Sequence, residues 1–205
     1  GNSADIFGMG IFKSTNNAKT FAHLANTATT AFDEIWDLQH SLVFDSTLYV
    51  ATDQYGLWVS KDAGASFTKV FNTSRRIQEV KAKKDSTLLF AVDGLGIYSF
   101  DEKTEEATKL ANGWPSSGYS RISFDYCKNY PNVIYAHLAN SNGAGLAYAL
   151  KSSNGGDSWQ ETNQPITTSG YNFAWYCFKV GVAPADSTKV FSLSIAPFYS
   201  SNSGE

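Results

Sequence analysis

Short apolar runs recur along this chain in a fixed order. Leu48-Tyr49-Val50-Ala51, Leu88-Leu89-Phe90-Ala91 and Val133-Ile134-Tyr135-Ala136 are compact apolar stretches, and Lys189-Val190-Phe191-Ser192 is a shorter counterpart. An alternating stretch precedes each: Ile35-Trp36-Asp37-Leu38, Ile77 to Ala82, Ile122-Ser123-Phe124 and Phe178 to Val182. A third run follows: Leu57-Trp58-Val59-Ser60, Gly96-Ile97-Tyr98, Gly145-Leu146-Ala147-Tyr148 and Phe198-Tyr199. Phe67-Thr68-Lys69-Val70 and Trp159-Gln160-Glu161-Thr162 read as a fourth. Runs of this length, aromatic and β-branched and bounded by Gly, Asn, Asp and Ser, predict β-strands. No stretch carries a helical period of useful length.

Between the third and fourth runs stands a motif, Ser-x-Asp/Asn-x-Gly-x-Ser-aromatic. It is Ser60, Asp62, Gly64, Ser66 and Phe67 in one copy and Ser152, Asn154, Gly156, Ser158 and Trp159 in another. A weaker copy holds Ser14, Asn16, Thr20 and Phe21, and a partial one runs from Ser200 to Glu205. Near Asp101 the motif has decayed to acidic residues. Starts at 14, 60, about 100, 152 and 200 give steps of 46, 40, 52 and 48 residues. A period of roughly 40–50 residues with several strands per unit predicts an all-β propeller of four-stranded blades. The motif has a local physical reason. The Asp or Asn accepts backbone N–H groups, the Gly supplies a positive φ, the Ser braces the turn and the aromatic ring packs over it. One carboxylate per copy is too few for a dedicated calcium site.

These residues resemble the Asp-box (BNR) repeat β-propellers, a group that includes sialidases, xyloglucan-type glycoside hydrolases, sortilin-like receptor ectodomains and photosystem assembly factors. The likeness covers nearly the whole chain. It is specific for the blade turn and almost silent about function. Four blades or so are counted: a partial one over 1–40, blades over about 34–74, 75–118 and 119–168, and a partial one over 169–205. The first copy opens at a third-strand position and the last stops inside its turn. The expectation is a segment of a larger seven- or eight-bladed ring, completed by remaining blades or by another chain.

The chain has 205 residues and a net charge of −3, with 5 Trp, 11 Tyr and 14 Phe. Rings fill the wedge between splayed sheets, so core packing accounts for most of them. The weak acidic charge argues against nucleic-acid binding. Arg75-Arg76 and Lys81 to Lys84 are read as solvated edges. No run is long enough to insert in a membrane as a helix. Low charge and abundant Asn, Ser, Thr and Gly resemble secreted or surface-exposed bacterial proteins, extracellular or periplasmic. Cys127 and Cys177 are placed toward opposite faces, which speaks against a disulfide and leaves the compartment open.

Candidate chemistry follows from the resemblance, which puts the ligand face at the loops entering the innermost strands and joining the second strand to the third. There Trp114, Tyr171, Trp175, His137 and Tyr55 are candidate ligand-binding residues, since rings beside amides and hydroxyls suit sugars. Thr52-Asp53-Gln54-Tyr55-Gly56 resembles the segment bearing a catalytic Asp in xyloglucan-type hydrolases, with Tyr55 in place of a Gly. Asp93 holds the same slot one blade on. Two such carboxylates could act as acid and base at a separation of roughly 6.5–9.5 Å. The alternative is that each Asp shapes its turn. Sialidase chemistry, which needs an arginine triad for the carboxylate and a Tyr nucleophile, is less favoured than the xyloglucanase type, since the chain has only Arg75, Arg76 and Arg121. His23, His40 and His137 are isolated, so neither a metal nor a cofactor is expected. The leading expectation is a non-catalytic module binding glycan or protein. The second is part of a glycoside hydrolase, xyloglucanase-like or sialidase-like, using rim carboxylates.

Overall fold

The computed structural model describes residues 8–162 and 173–204. Its strands are β1 (Phe12–Lys13), β2 (Ala22–His23), β3 (Ile35–His40), β4 (Leu48–Thr52), β5 (Leu57–Ser60), β6 (Thr68–Phe71), β7 (Ile77–Ala82), β8 (Thr87–Val92), β9 (Gly96–Asp101), β10 (Glu106–Lys109), β11 (Tyr119–Tyr126), β12 (Ile134–Asn140), β13 (Leu146–Ser152), β14 (Gln160–Glu161), β15 (Lys179–Val182), β16 (Val190–Leu193) and β17 (Pro197–Ser200). Among the described residues the only helical pieces are two three-residue 3-10 turns, Ala25–Thr27 and Thr30–Phe32. Three sheets have four strands in chain order, β3 to β6, β7 to β10 and β11 to β14. Strands β15 to β17 form a three-stranded sheet and β1 with β2 a two-stranded one. Strand neighbours in sequence are neighbours in the sheet, and the pairs whose register is defined are antiparallel.

The chain divides into two compact units, Gly1–Leu88 with Asp101–Glu105 and Leu89–Phe100 with Glu106–Glu205. The first has a core in which Ile11, Phe32 and Val50 are buried, with Leu24, Trp58 and Phe67 packed against them. The Phe32 ring lies 5.2 Å from Trp58 and 5.3 Å from Phe67. The second buries Leu89, Ile97, Ile122, Phe124, Leu138 and Trp159 in one cluster. A smaller cluster there joins Cys127, Tyr135, Val180 and Val190. Both cysteines are free thiols; Cys127 is buried with Sγ 3.2 Å from the Pro184 carbonyl.

The recurrent turns share one hydrogen-bond scheme. Ser60 Oγ donates to Asp62 Oδ1 and accepts the Gly64 N–H, both at 2.8 Å. Ser152 does the same with Asn154 and Gly156 at 2.9 Å each. Ser14 uses Asn16 at 3.0 Å and Ala18 at 2.9 Å, and Ser200 uses Asn202 and Gly204 at 2.8 Å. In each, two consecutive residues have positive φ: Asn17 and Ala18, Ala63 and Gly64, Gly155 and Gly156, Ser203 and Gly204. The first of the two can also donate to the loop between the sheet's first and second strands. Ala63 N–H reaches Ser46 O at 2.8 Å, Gly155 N–H reaches Asn132 O at 2.8 Å and Ser203 N–H reaches Thr188 O at 2.9 Å. The acidic copy keeps this clamp, with Glu102 N–H on Ser86 O at 2.9 Å. Asp85 and Asp186 shape that loop by accepting the N–H groups of Thr87 and Thr188.

Candidate functional site

In the first unit a β-bulge builds the rim. The β3–β4 register runs Ile35↔Thr52 and then Asp37↔Ala51, leaving Trp36 unpaired. A bulge re-aims a side chain. Here Trp36 Nε1 donates to Asp53 Oδ1 at 3.1 Å. Arg76 Nε donates to the same oxygen at 2.5 Å, and its guanidinium lies 4.4 Å from the Trp36 ring centroid. Asp53 is buried, and its N–H donates to Glu34 O at 3.0 Å. The turn after it is braced: Thr52 Oγ1 donates to Gly56 O at 2.7 Å and accepts the Tyr55 N–H at 3.2 Å. Tyr55 and Trp36 keep large exposed faces. Thr30, Asp33, Glu34, Asp53, Gln54 and Tyr55 line a cleft of about 190 Å³.

Arg76, expected at a solvated edge, is instead ion-paired with Asp53. Neither Arg76 nor Trp36 stood among the expected site residues. The alternation around Trp36 conceals the bulge, and nothing local ties Arg76 to a carboxylate 23 positions away.

In the second unit the candidates separate. Trp114 is not an exposed loop tip: its Nε1 donates to Tyr119 Oη at 2.9 Å and its ring stands edge-on to Trp159 at 5.0 Å. Trp159 in turn donates from Nε1 to Leu110 O at 3.1 Å. His137 lies within β12 rather than in a loop, 2 % exposed, with Nδ1 2.8 Å from Ser192 Oγ. Burial pushes its pKa down to about 4. Asp93, half-buried, stands in the turn between β8 and β9, which Leu95 N–H closes on Val92 O at 2.9 Å. Trp175 is exposed beside Phe173 and Tyr176, with ring centroids 6.2 and 5.6 Å from its own. Arg121 holds that segment through the Trp175 and Tyr176 carbonyls at 3.0 and 2.7 Å. Tyr171 falls outside the described residues. Among the described residues no group of three or more His, Cys, Asp or Glu is placed to hold a metal ion. No helix among them is long and apolar enough to cross a membrane.

No family model matches this chain, and no curated protein matches it. Solved structures do. The GH74 xyloglucanase from Xanthomonas campestris matches with a TM-score of 0.72 at 16 % identity, over 95 % of this chain and 34 % of that one. The GH74 enzyme of Niastella koreensis matches with a TM-score of 0.74 at 20 % identity, over 97 % and 34 %. An ancestral GH74 enzyme matches with a TM-score of 0.66 at 19 % identity, over 83 % and 23 %. The chain thus spans about a third of the length of two of these structures and about a quarter of the third. At such identity the likeness is one of fold. The chain is all-β, and its four-stranded antiparallel sheets are the blades of a β-propeller.

Proposed function

We propose that this chain is a non-catalytic, secreted or cell-surface propeller segment of the Asp-box type that binds glycan at the Trp36–Tyr55 rim, with further blades completing its ring. The observation that carries the reading is the state of Asp53. Its Oδ1 accepts from both Arg76 and Trp36, so this carboxylate orients a tryptophan and an arginine. Beside it lie two exposed rings and a cleft edged by Asp33, Glu34, Gln54 and Thr30. Sugar C–H faces stack on such rings while carboxylates and amides take the hydroxyls. Exposed Trp175 and Tyr176 offer a second apolar platform in the other unit.

The second reading, part of a glycoside hydrolase, is favoured by the fold shared with GH74 enzymes and by three carboxylates on one cleft. Titration of the intact native polypeptide with β-glucan and xyloglucan oligosaccharides separates the two. The non-catalytic reading expects saturable binding without new reducing ends. Tyr55→Ala should weaken it about tenfold or more, the scale of one lost stacking contact at about 1.4 kcal/mol. Turnover that disappears in Asp53→Asn establishes the hydrolase instead. Binding untouched by Tyr55→Ala and Trp36→Ala removes this rim from the proposal.

A further inference from the structure

One face of β3 is bare where its counterparts are covered. The counterparts are set by a recurrent bond: Ser41, Lys83, Cys127 and Ala183 each donate N–H to the carbonyl of a residue at or just before the start of the next strand, namely Thr47, Thr87, Val133 and Lys189. Counting back three residues from each aligns Leu38 with Val80, Phe124 and Val180. Val80 is 1 %, Phe124 0 % and Val180 1 % exposed, whereas Leu38 is 43 % exposed. His40 is exposed too, while its counterparts Ala82, Tyr126 and Val182 are buried. Leu38, His40 and Leu48 line a groove of about 380 Å³ together with Phe12 and Lys13 of β1. β1 pairs with β2 along one edge and, among the described residues, has no strand along the other.

The covered interfaces within each unit show what such a face receives. In the first unit Val80 N–H is taken by Asp37 Oδ2 of the preceding innermost strand at 2.9 Å. In the second, Ser123 Oγ takes Val180 N–H at 2.9 Å and Asp125 Oδ2 takes Val182 N–H at 3.0 Å. The equivalent N–H, that of Leu38, turns instead to its own neighbour, Asp37 Oδ1, at 2.9 Å.

We propose that this groove docks the inner two-stranded hairpin of another blade of the same repeat type. Its first strand presents a carboxylate or hydroxyl at the place of Asp37 and Ser123, and its second strand adds antiparallel to the open edge of β1. Strand addition supplies main-chain bonds, and the apolar row over Leu38 and Phe12 sets the register. The inference deepens the reading that further blades complete the ring, and it is independent of the glycan reading.

The test uses a cyclised peptide of residues 77–92, the β7–β8 hairpin of this chain; cyclisation matters because free hairpins are marginally stable. Leu24 N–H on Ile11 O puts the bonding groups of Ile11 and Lys13 on the β2 side, which leaves the Phe12 amide facing the open edge; saturating peptide should slow its hydrogen exchange by about tenfold or more. Leu38→Lys in the protein should abolish the slowing, and Glu79→Ala in the peptide, at the Asp37 place, should weaken it. Unchanged β7 amides show that the variant is folded; Phe12→Lys replaces it if not. No slowing at millimolar peptide, or slowing that survives Leu38→Lys, overturns the proposal. So does a self-associated protein that Leu38→Lys renders monomeric, since that assigns the face to a second copy. Loss of hairpin docking with β-glucan titration intact separates this failure from that of the rim.

Discussion

Gly64 and Gly156 hold the fifth place of their turns, at φ +95° and +104°. A Cβ on Gly64 would meet Leu24 Cδ1 at 2.7 Å, and one on Gly156 would meet Leu110 Cδ1 at 2.3 Å. The positions are thus constrained twice, by backbone strain and by the leucine that closes over the turn. Ala18 takes the same place at φ +61° in an exposed turn, so the backbone alone does not forbid a side chain. We predict that Gly156→Ala costs about 1–3 kcal/mol in urea denaturation and Gly64→Ala less, with Leu110→Ala partly relieving the former. At this scale the sequence was informative. Ser, Asp or Asn, and Gly at fixed spacing name their own bonds, because each bond spans four residues or fewer. Arg76 on Asp53 was not legible, because an ion pair between loops leaves no local pattern.

Among the elements, the innermost strands are tied by side chains rather than by a shared ladder. Asp37 bridges Leu38 N–H and Val80 N–H with its two oxygens. Asp37→Ala leaves a donor on a buried strand without its acceptor, which typically costs about 1–3 kcal/mol. Thermal unfolding should show a loss of that order, and Asp37→Asn should recover part of it. The alternating stretches announced these strands, yet they gave no sign that Asp37, Ser123 and Asp125 would link one strand to the next. His137 misled for a related reason. A histidine beside Leu138-Ala139-Asn140 reads as a loop entry, but the strand runs on to Asn140 and carries the ring into the interior, against Ser192 and Phe178.

For the whole molecule, stability should fall in acid through two groups. Burial holds His137 neutral, with a folded pKa of about 4 against an ordinary 6.5. Between those values the unfolded chain takes up the proton first, so stability declines as pH falls from about 6.5 through 4. Asp62 behaves in the same direction lower down: bonds from Ser66 and Ser60 hold its carboxyl at about 2, so its share is present above the ordinary 3.8 and is lost as pH drops below it. Asp62 is fully exposed, and solvent screening makes that share small. Denaturation midpoints measured across about pH 3 to 7 should therefore fall mainly in the upper window. His137→Asn, which can keep the bond to Ser192, should flatten that window and leave the lower one unchanged.

The repeat period, the four short strands per unit and the turns that join them were set by the sequence alone. Strand alternation and turn chemistry act over a few residues, and repetition amplifies a weak signal until the architecture is unambiguous. Which rings face water and which side chains meet was decided only in three dimensions. Trp114 and Trp175 are each a tryptophan among polar neighbours, yet one is locked against Tyr119 and Trp159 and the other stands open. That difference, like the bulge that sets Trp36 on Asp53, arises from packing between segments far apart in the chain, where no periodicity reaches.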